Sequence, residues 1–318
     1  VLQRIAANDV AVPVGKIVYT QFLNSEGHIE ADVTITRLGP DEFLIVTPTA
    51  TIRRDLHWIN GHIPDASHAI AVDISVSESV FVVMGPDARS FLQPLIPQSL
   101  ENEDFPFGTM QPIEIGHAIA RAHRVSYVGE LGWELYVSAE MSAHVFETIA
   151  ARRKDHPLAM CGLHALDSCR IEKGFRHFGH DISNEDHVLE AGLGFAVKEN
   201  KKPGKFGPMI GADAVKAKRN DGLSQRLMQF RLDDPDPLLY HNEAIYRDGV
   251  VSGYLTSGNY GHHLGGAIGL GYVKCSTVGE TAEAQLNAHY QIDVAGKLVD
   301  ADVSLRPFYD PKALQVKL

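Results

Sequence analysis

The hydrophobic and polar positions of the 318-residue chain change rhythm several times, and each change marks an element. From His28 to Arg37 the pattern alternates. Ile29, Ala31, Val33 and Ile35 fall on one face and Glu30, Asp32, Thr34 and Thr36 on the other, the signature of a half-buried strand. Leu38-Gly39-Pro40-Asp41-Glu42 supplies turn residues, and Phe43-Leu44-Ile45-Val46 follows as a short apolar run, so a hairpin is expected. Val80-Phe81-Val82-Val83 reads as a buried strand. Gly85-Pro86-Asp87-Ala88 then places proline where a helix carrying Ser90-Phe91-Leu92-Gln93-Pro94-Leu95 would start. Val1-Leu2-Gln3-Arg4-Ile5 echoes that run, which hints at a strand, turn and helix unit used twice, with the chain starting inside its first copy. Chance similarity between two amphipathic helix ends is the plainer reading of a five-residue match.

Val125 to Val137 reads as a strand, a Gly129–Gly132 turn and a second strand. In the second strand Trp133, Leu135 and Val137 share one face and Glu134 and Tyr136 the other. Leu163 to Phe178 has a helical pattern, with Leu163, Leu166, Cys169 and Ile171 apolar and Asp167, Arg170 and Glu172 between them. Lys198 to Gly222 is rich in Lys and Gly and contains Pro203 and Pro208. It divides the chain into an N-terminal unit, residues 1–205, and a C-terminal unit, residues 206–318. Beyond it come short β-like runs, Gln225 to Leu232 and Ala244 to Tyr254. Asp248-Gly249 splits the second with a two-residue hairpin signal, so the C-terminal unit is expected to be all β.

Composition narrows the function classes. With 44% hydrophobic and 22% charged residues, the chain can bury more than one core. No run approaches the roughly 18 apolar residues of a membrane helix, and VLQRIAAND lacks the regions of a signal peptide. Neither membrane nor export is expected, and the cytoplasm, or the mitochondrial matrix in a eukaryote, is the expected compartment. The 29 Lys+Arg against 40 Asp+Glu leave a net charge of -11, which disfavours nucleic acid as a partner. Cys161, Cys169 and Cys275 form no CxxC pair, so a reducing compartment is the simple expectation. No GxGxxG follows a predicted strand, and neither GxxxxGK[ST] nor GxSxG occurs, so there is no sign of a dinucleotide site, a triphosphate site or a serine hydrolase.

Asp32, Glu134, Arg170 and several histidines could carry chemistry. Asp32 is a carboxylate on a strand, where propensity disfavours it. It either meets a cationic or proton-donating ligand group or lies on a solvated outer face, and spacing alone favours the latter. In SYVGELGWELYV, a flat aromatic beside Glu134 suits a nitrogen heterocycle with adjacent N–H donors, although a surface hairpin is the commoner case. Arg170, three residues from Asp167, either belongs to a solvated helix face or points inward to a ligand carboxylate or to Glu134. His177, His180 and His187 raise a metal site, but Gly179 breaks the helix and neither HExxH nor a cysteine cluster accompanies them, so none is expected. His262-His263 reads as turn chemistry.

In order and spacing, GHIEADVTITR, SYVGELGWELYV and GLHALDSCRIEKGFRHFGHDI resemble the glycine-cleavage T-protein (aminomethyltransferase) family. EADVTITR, RIEKGFRHFGHDIS, LEAGLGFAVK and SGNYGHHLGGAIGLGYV are most similar to the folate-binding half of dimethylglycine and sarcosine dehydrogenases. The resemblance implies an α+β fold: a three-lobed, cloverleaf-like folate-binding domain ending in an all-β barrel, with tetrahydrofolate in a central channel. It implies Asp32 as the catalytic residue near the folate N5/N10 region, with Tyr127 and Glu134 holding the pterin and Arg170 anchoring or ordering the same pocket. The implied reaction forms 5,10-methylenetetrahydrofolate from an amine-derived one-carbon donor. No FAD site is expected in this chain, so it would not act as a dehydrogenase alone. A flavoprotein domain or a lipoyl carrier protein is the implied partner. Two departures accompany the resemblance: the family's first Gly-Pro unit is expected to be missing at the N-terminus, and ARRKDHPL is short for the loop before the helix. A stand-alone aminomethyltransferase, a folate-dependent demethylase and a non-catalytic folate-binding scaffold are the alternatives. Scaffold-type relatives carry Lys-Gly-Cys, where this chain has Lys173-Gly174-Phe175.

Overall fold

The computed structural model describes all 318 residues, which form three separate sheets. The first has the order β1 (Ile17–Leu23), β2 (Ile29–Arg37) and β3 (Phe43–Val46), all antiparallel. The alternation in β2 decides its packing. Ile29, Ala31, Val33 and Ile35 are almost fully buried, and from Val33 and Ile35 the core continues to Val18, Phe22 and Ile59 of the helix Ile52–Gly61.

The second sheet is built from β4 (Glu78–Met84), β5 (Met110–Ile115), β6 (Ala118–His123) and β7 (Gly132–Ser138), in the order β4-β7-β6-β5. One face packs Trp133, Leu135 and Val137 against Phe91 and Leu92 and against Val145 and Ile149 of the helix Ser142–Ala151. β4 departs from the buried strand expected of it. It is an edge strand whose Phe81 and Val83 face the core, while Val80 and Val82 remain 47% and 52% exposed on the opposite face. A continuous apolar run therefore belongs here to a strand covered on one side only. Val125 to Val128, expected as a strand, is an irregular loop, because the ladder with β7 ends at His123. Residues 2–5 and 88–92, the two halves of the weak internal echo, are both short helices.

The third sheet is a closed barrel. Its strands β8 (Gln225–Leu232), β9 (Ala244–Arg247), β10 (Val250–Gly261), β11 (Gly266–Lys274), β12 (Tyr290–Val294) and β13 (Lys297–Ser304) run in the order β10-β11-β8-β13-β12-β9. The β9–β10 hairpin turns at Asp248-Gly249, both with positive φ (50° and 80°), as a primed two-residue turn requires. Phe230, Ile245, Leu255, Tyr290 and Ile292 fill the interior. The helix Ala212–Asp221 packs Ala212 and Val215 with Ala7, Leu23 and Ile29 rather than with the barrel.

The helix Leu163–Glu172 joins the units, and it differs from the expectation in two ways. It stops at Glu172, ahead of Gly174 with its positive φ of 65°, and its buried face is polar: Ser168, Arg170 and Glu172 accompany Ile171, while Leu163 is exposed. The reason is its seat against the barrel. Ile171 meets Leu227, Ile268 and Leu270. Ser168 Oγ donates to the Tyr260 carbonyl at 2.6 Å, and Glu172 Oε1 accepts the backbone N–H groups of His263 and Leu264 at 2.7 and 3.1 Å. No helix of the chain is long and apolar enough to cross a membrane.

Candidate active site

Strand register places Gln21 opposite Asp32 on the polar face of the first sheet, and Gln21 Nε2 donates to Asp32 Oδ1 at 2.8 Å. That face is not the solvated surface which spacing alone favours. Gln21 and Thr36 are fully buried, and Gln21 Oε1 and Thr36 Oγ1 have no hydrogen-bond partner. Asp32 itself is half-buried opposite Gln21. Burial pushes its carboxyl up to about 6, against the opposing pull of Gln21, of the Tyr19 hydroxyl and of the Arg176 charge. A carboxyl so poised changes protonation close to neutral pH.

Tyr127 lies in the irregular loop after β6. Its ring runs parallel to Phe175 with centroids 6.1 Å apart, and its hydroxyl donates to the Arg176 carbonyl at 3.0 Å. Burial holds the phenol well above its usual range, and it sits within the fields of Arg170, Asp181 and Asp32. Tyr127 thus connects the Asp32 region to the Arg170 region.

Arg170 is buried and saturated. Nε meets Asp167 at 2.8 Å, Nη2 meets Ser257 Oγ at 2.7 Å, and Nη1 meets Asp181 and the Phe175 carbonyl. Asp181, equally buried, also accepts Thr256 Oγ1 at 2.6 Å and the His177 N–H at 3.0 Å. Burial works against the guanidinium charge, yet Asp181 and Asp167 raise its pKa overall. With these partners Arg170 does not reach Glu134. It fastens the helix, the 175–181 segment and β10 to one another.

Glu134 projects from β7 on the face opposite the core. Tyr136 Oη donates to its Oε2 at 2.8 Å, and its Oε1 has no protein partner. Burial raises its pKa, with the Tyr136 hydrogen bond opposing. The aromatic ring on this face belongs to Tyr136, packed 4.4 Å from His123, and not to Trp133, which is wholly inside the core. Glu134 makes no hydrogen bond to Asp32, Tyr127 or Arg170. Among the three histidines weighed as ligands, His177 and His180 lie side by side with ring centroids 4.5 Å apart, while His187 sits beside His28. No group of three or more His, Cys, Asp or Glu side chains is arranged to hold a metal.

Sequence reasoning missed Tyr19, Gln21 and Arg176. Tyr19 and Gln21 had a signal, two polar groups two residues apart on one face of the strand IVYTQFL. Arg176 had none, because its partners are backbone carbonyls: Nε donates to Ala191 O at 3.0 Å and Nη1 to Gly174 O at 2.8 Å.

Comparison with known proteins decides the family. Residues 1–201 match the GCVT N-terminal domain and residues 225–310 the glycine cleavage T-protein C-terminal barrel domain. The chain belongs to the glycine cleavage T-protein family. It is 39% identical to 4-methylaminobutanoate oxidase (formaldehyde-forming) from Paenarthrobacter nicotinovorans, over 100% of the chain and 37% of that protein. It is 32% identical to mitochondrial sarcosine dehydrogenase from Mus musculus, over 97% of the chain and 35% of the relative. The chain therefore spans little more than a third of the length of these relatives. In fold it matches the glycine cleavage system aminomethyltransferase T from Bartonella henselae, with a TM-score of 0.80 at 22% identity, covering 98% of this chain and 81% of that one. The family is folate-dependent and aminomethyltransferase-like, and its relatives here include amine-oxidising enzymes.

Proposed function

We propose that this chain transfers a one-carbon unit, released by oxidation of an N-methylated amine, to tetrahydrofolate, giving 5,10-methylenetetrahydrofolate. The observation that carries the reading is Asp32: a half-buried carboxyl, hydrogen-bonded by Gln21 and poised near pH 6, on the strand GHIEADVTITR, whose likeness to the family motif is the reason to seek the reacting end of the folate there. The donor set suits a reduced pterin. Glu134 offers an unpaired Oε1 beside an aromatic face, and such a carboxylate accepts the N–H donors of a pteridine ring.

When bound, tetrahydrofolate supplies the two nitrogens that take up the carbon. With an iminium donor, the carbon–nitrogen bonds to the donor break and two new ones form. The two protons given up by the accepting nitrogens end on the departing amine, and no oxidant is needed. Asp32 as carboxylate favours cationic character at the carbon being transferred and can accept and return a proton at its free oxygen. Tyr127 keeps the Arg176 backbone in place, and Arg170 orders the wall behind it. The chain's contribution is positioning and charge stabilisation. The oxidation itself is assigned to a flavoprotein domain or partner, in keeping with the much greater length of the relatives.

Calorimetric titration with 5-formyltetrahydrofolate tests this. Wild type should bind, Glu134→Ala should bind markedly more weakly, and Asp32→Ala should keep most of the affinity while losing transfer from formaldehyde. A folded wild-type chain that does not bind reduced folate would refute the reading.

A further inference from the structure

The loop of residues 126–130, which carries Tyr127, forms no backbone hydrogen bonds to other backbone groups, so neither a ladder nor a turn sets its course between β6 and β7. Side chains hold it instead, and on both sides of the loop they reach the segment that follows the barrel. On the β6 side, Arg124 is almost wholly buried and has no carboxylate partner. Its Nη1 donates to the Phe105 carbonyl at 2.6 Å and its Nη2 to the Leu318 carbonyl at 2.8 Å. Arg89 Nη2 donates to the same Leu318 carbonyl at 2.5 Å, and Asn102 Nδ2 to the Lys317 carbonyl at 3.1 Å. On the β7 side, the Tyr309 hydroxyl donates to Glu130 Oε1, which also lies 3.8 Å from His263 Nε2, while Glu130 Oε2 is buried without a partner. Between these grips, Lys173 Nζ meets the Asp310 carbonyl and carboxylate at 2.6 and 2.7 Å, and its stem lies so close to Gly129 that a Cβ there would come 3.0 Å from it. Tyr309 is itself fixed. Its ring stacks 4.2 Å from His263, and the neighbouring Phe308 N–H donates to Gln229 Oε1 of β8 at 2.8 Å.

We infer that residues 307–318 are a clamp on the Tyr127 loop, and that Tyr309 and Arg124 are positioning residues of the proposed folate site. Both act through Tyr127. A backbone stretch without hydrogen bonds of its own is held only as firmly as its side chains hold it, and a ring that packs against a ligand must be presented in one place. Arg124 and Glu130 are buried charged groups, which need partners, and each finds one in this single segment across 194 and 179 residues of sequence. The inference rests on the function proposed above and deepens it, because the wall of the pocket is then set by groups that lie outside it.

The test separates the clamp from the folate reading. Tyr309→Phe keeps the ring on His263 and removes only the hydroxyl, and Glu130→Gln removes the charge that the hydroxyl meets. Wild type, both single variants and the double variant are titrated calorimetrically with 5-formyltetrahydrofolate. In parallel, 3-fluorotyrosine is placed at position 127 and the ligand-free chain is followed by fluorine NMR. Loss of one hydrogen bond to a carboxylate should weaken folate binding about tenfold in Tyr309→Phe, with the double variant no weaker than the worse single one. The fluorine line should broaden or shift in Tyr309→Phe. A purely structural contact would lower the unfolding midpoint and leave affinity and fluorine line unchanged. Wild-type affinity retained in Tyr309→Phe, losses that simply add in the double variant, or a fluorine line that does not move would each overturn the clamp. If the line moves while wild type binds no formyl-folate, the clamp on the loop stands and the folate reading falls.

Discussion

Two charged centres lie close together in this fold and are built on opposite principles. Around Arg170, every charge is answered: Asp167, Asp181, Ser257 and the Phe175 carbonyl surround the guanidinium, and Asp181 is itself met by Thr256. Around Asp32, the pairing is incomplete. Gln21 and the Tyr19 hydroxyl act on the carboxyl, Gln21 Oε1 is buried without a partner, and Arg176, whose charge reaches it, meets only carbonyls. Saturation suits a centre that holds the fold, and the incompleteness at Asp32 is what supports reading it as a ligand site.

The sharpest way to break this comparison is to remove one half of the saturated pair. Asp181→Ala leaves Arg170 buried with a single remaining carboxylate, and should cost about 3–5 kcal/mol in denaturant unfolding. A loss below about 1 kcal/mol would mean that the network is dispensable.

At Asp32 the sign reverses. Its native pKa of about 6 lies above the ordinary 3.8, so the folded state holds the proton more tightly than the unfolded chain does. Its burial therefore destabilises the fold above pH 6, an effect that fades as pH falls from 6 toward 4. Asp32→Asn should accordingly stabilise the protein by about 1–3 kcal/mol at pH 8 and by almost nothing at pH 4, while abolishing transfer. Equal effects at both pH values would show that the gain comes from packing. A smaller change is expected from Tyr136→Phe, which removes a single hydrogen bond from Glu134 Oε2. The Glu134 carboxyl should then titrate higher, with about 1 kcal/mol or less lost from reduced-folate binding, read by carboxyl NMR and calorimetry.

Much of the scaffold was legible in the sequence, for reasons local to each element. The alternation of β2 fixed which face is buried, and Asp248-Gly249 fixed a hairpin, since period and turn chemistry act over a few residues. Val80 to Val83 was misread because an apolar run does not say how many faces are covered. The helix Leu163–Glu172 was misread because its buried polar side chains answer to Asp181, Ser257 and the N–H groups of His263 and Leu264, some as far as 92 residues away. Helical periodicity assigns apolar residues to the interior and cannot anticipate such partners. For the same reason Asp32 looked like an outer-face residue on its strand, and only the family motifs brought it forward. The end of the N-terminal unit is likewise a matter of packing: we propose to draw it at Gly222, because Ala212 and Val215 join the core of Ala7 and Leu23.

The manner in which Arg176 is fastened bears on how such a protein can diversify. Carbonyl oxygens of Ala191 and Gly174 hold it, so a neutral replacement would strand no carboxylate and the scaffold should tolerate one. Asp32, on a central strand, stays fixed by its own register partner. The charge carried by that connecting segment can therefore change, generation after generation, while the strand that bears Asp32 is left unaltered.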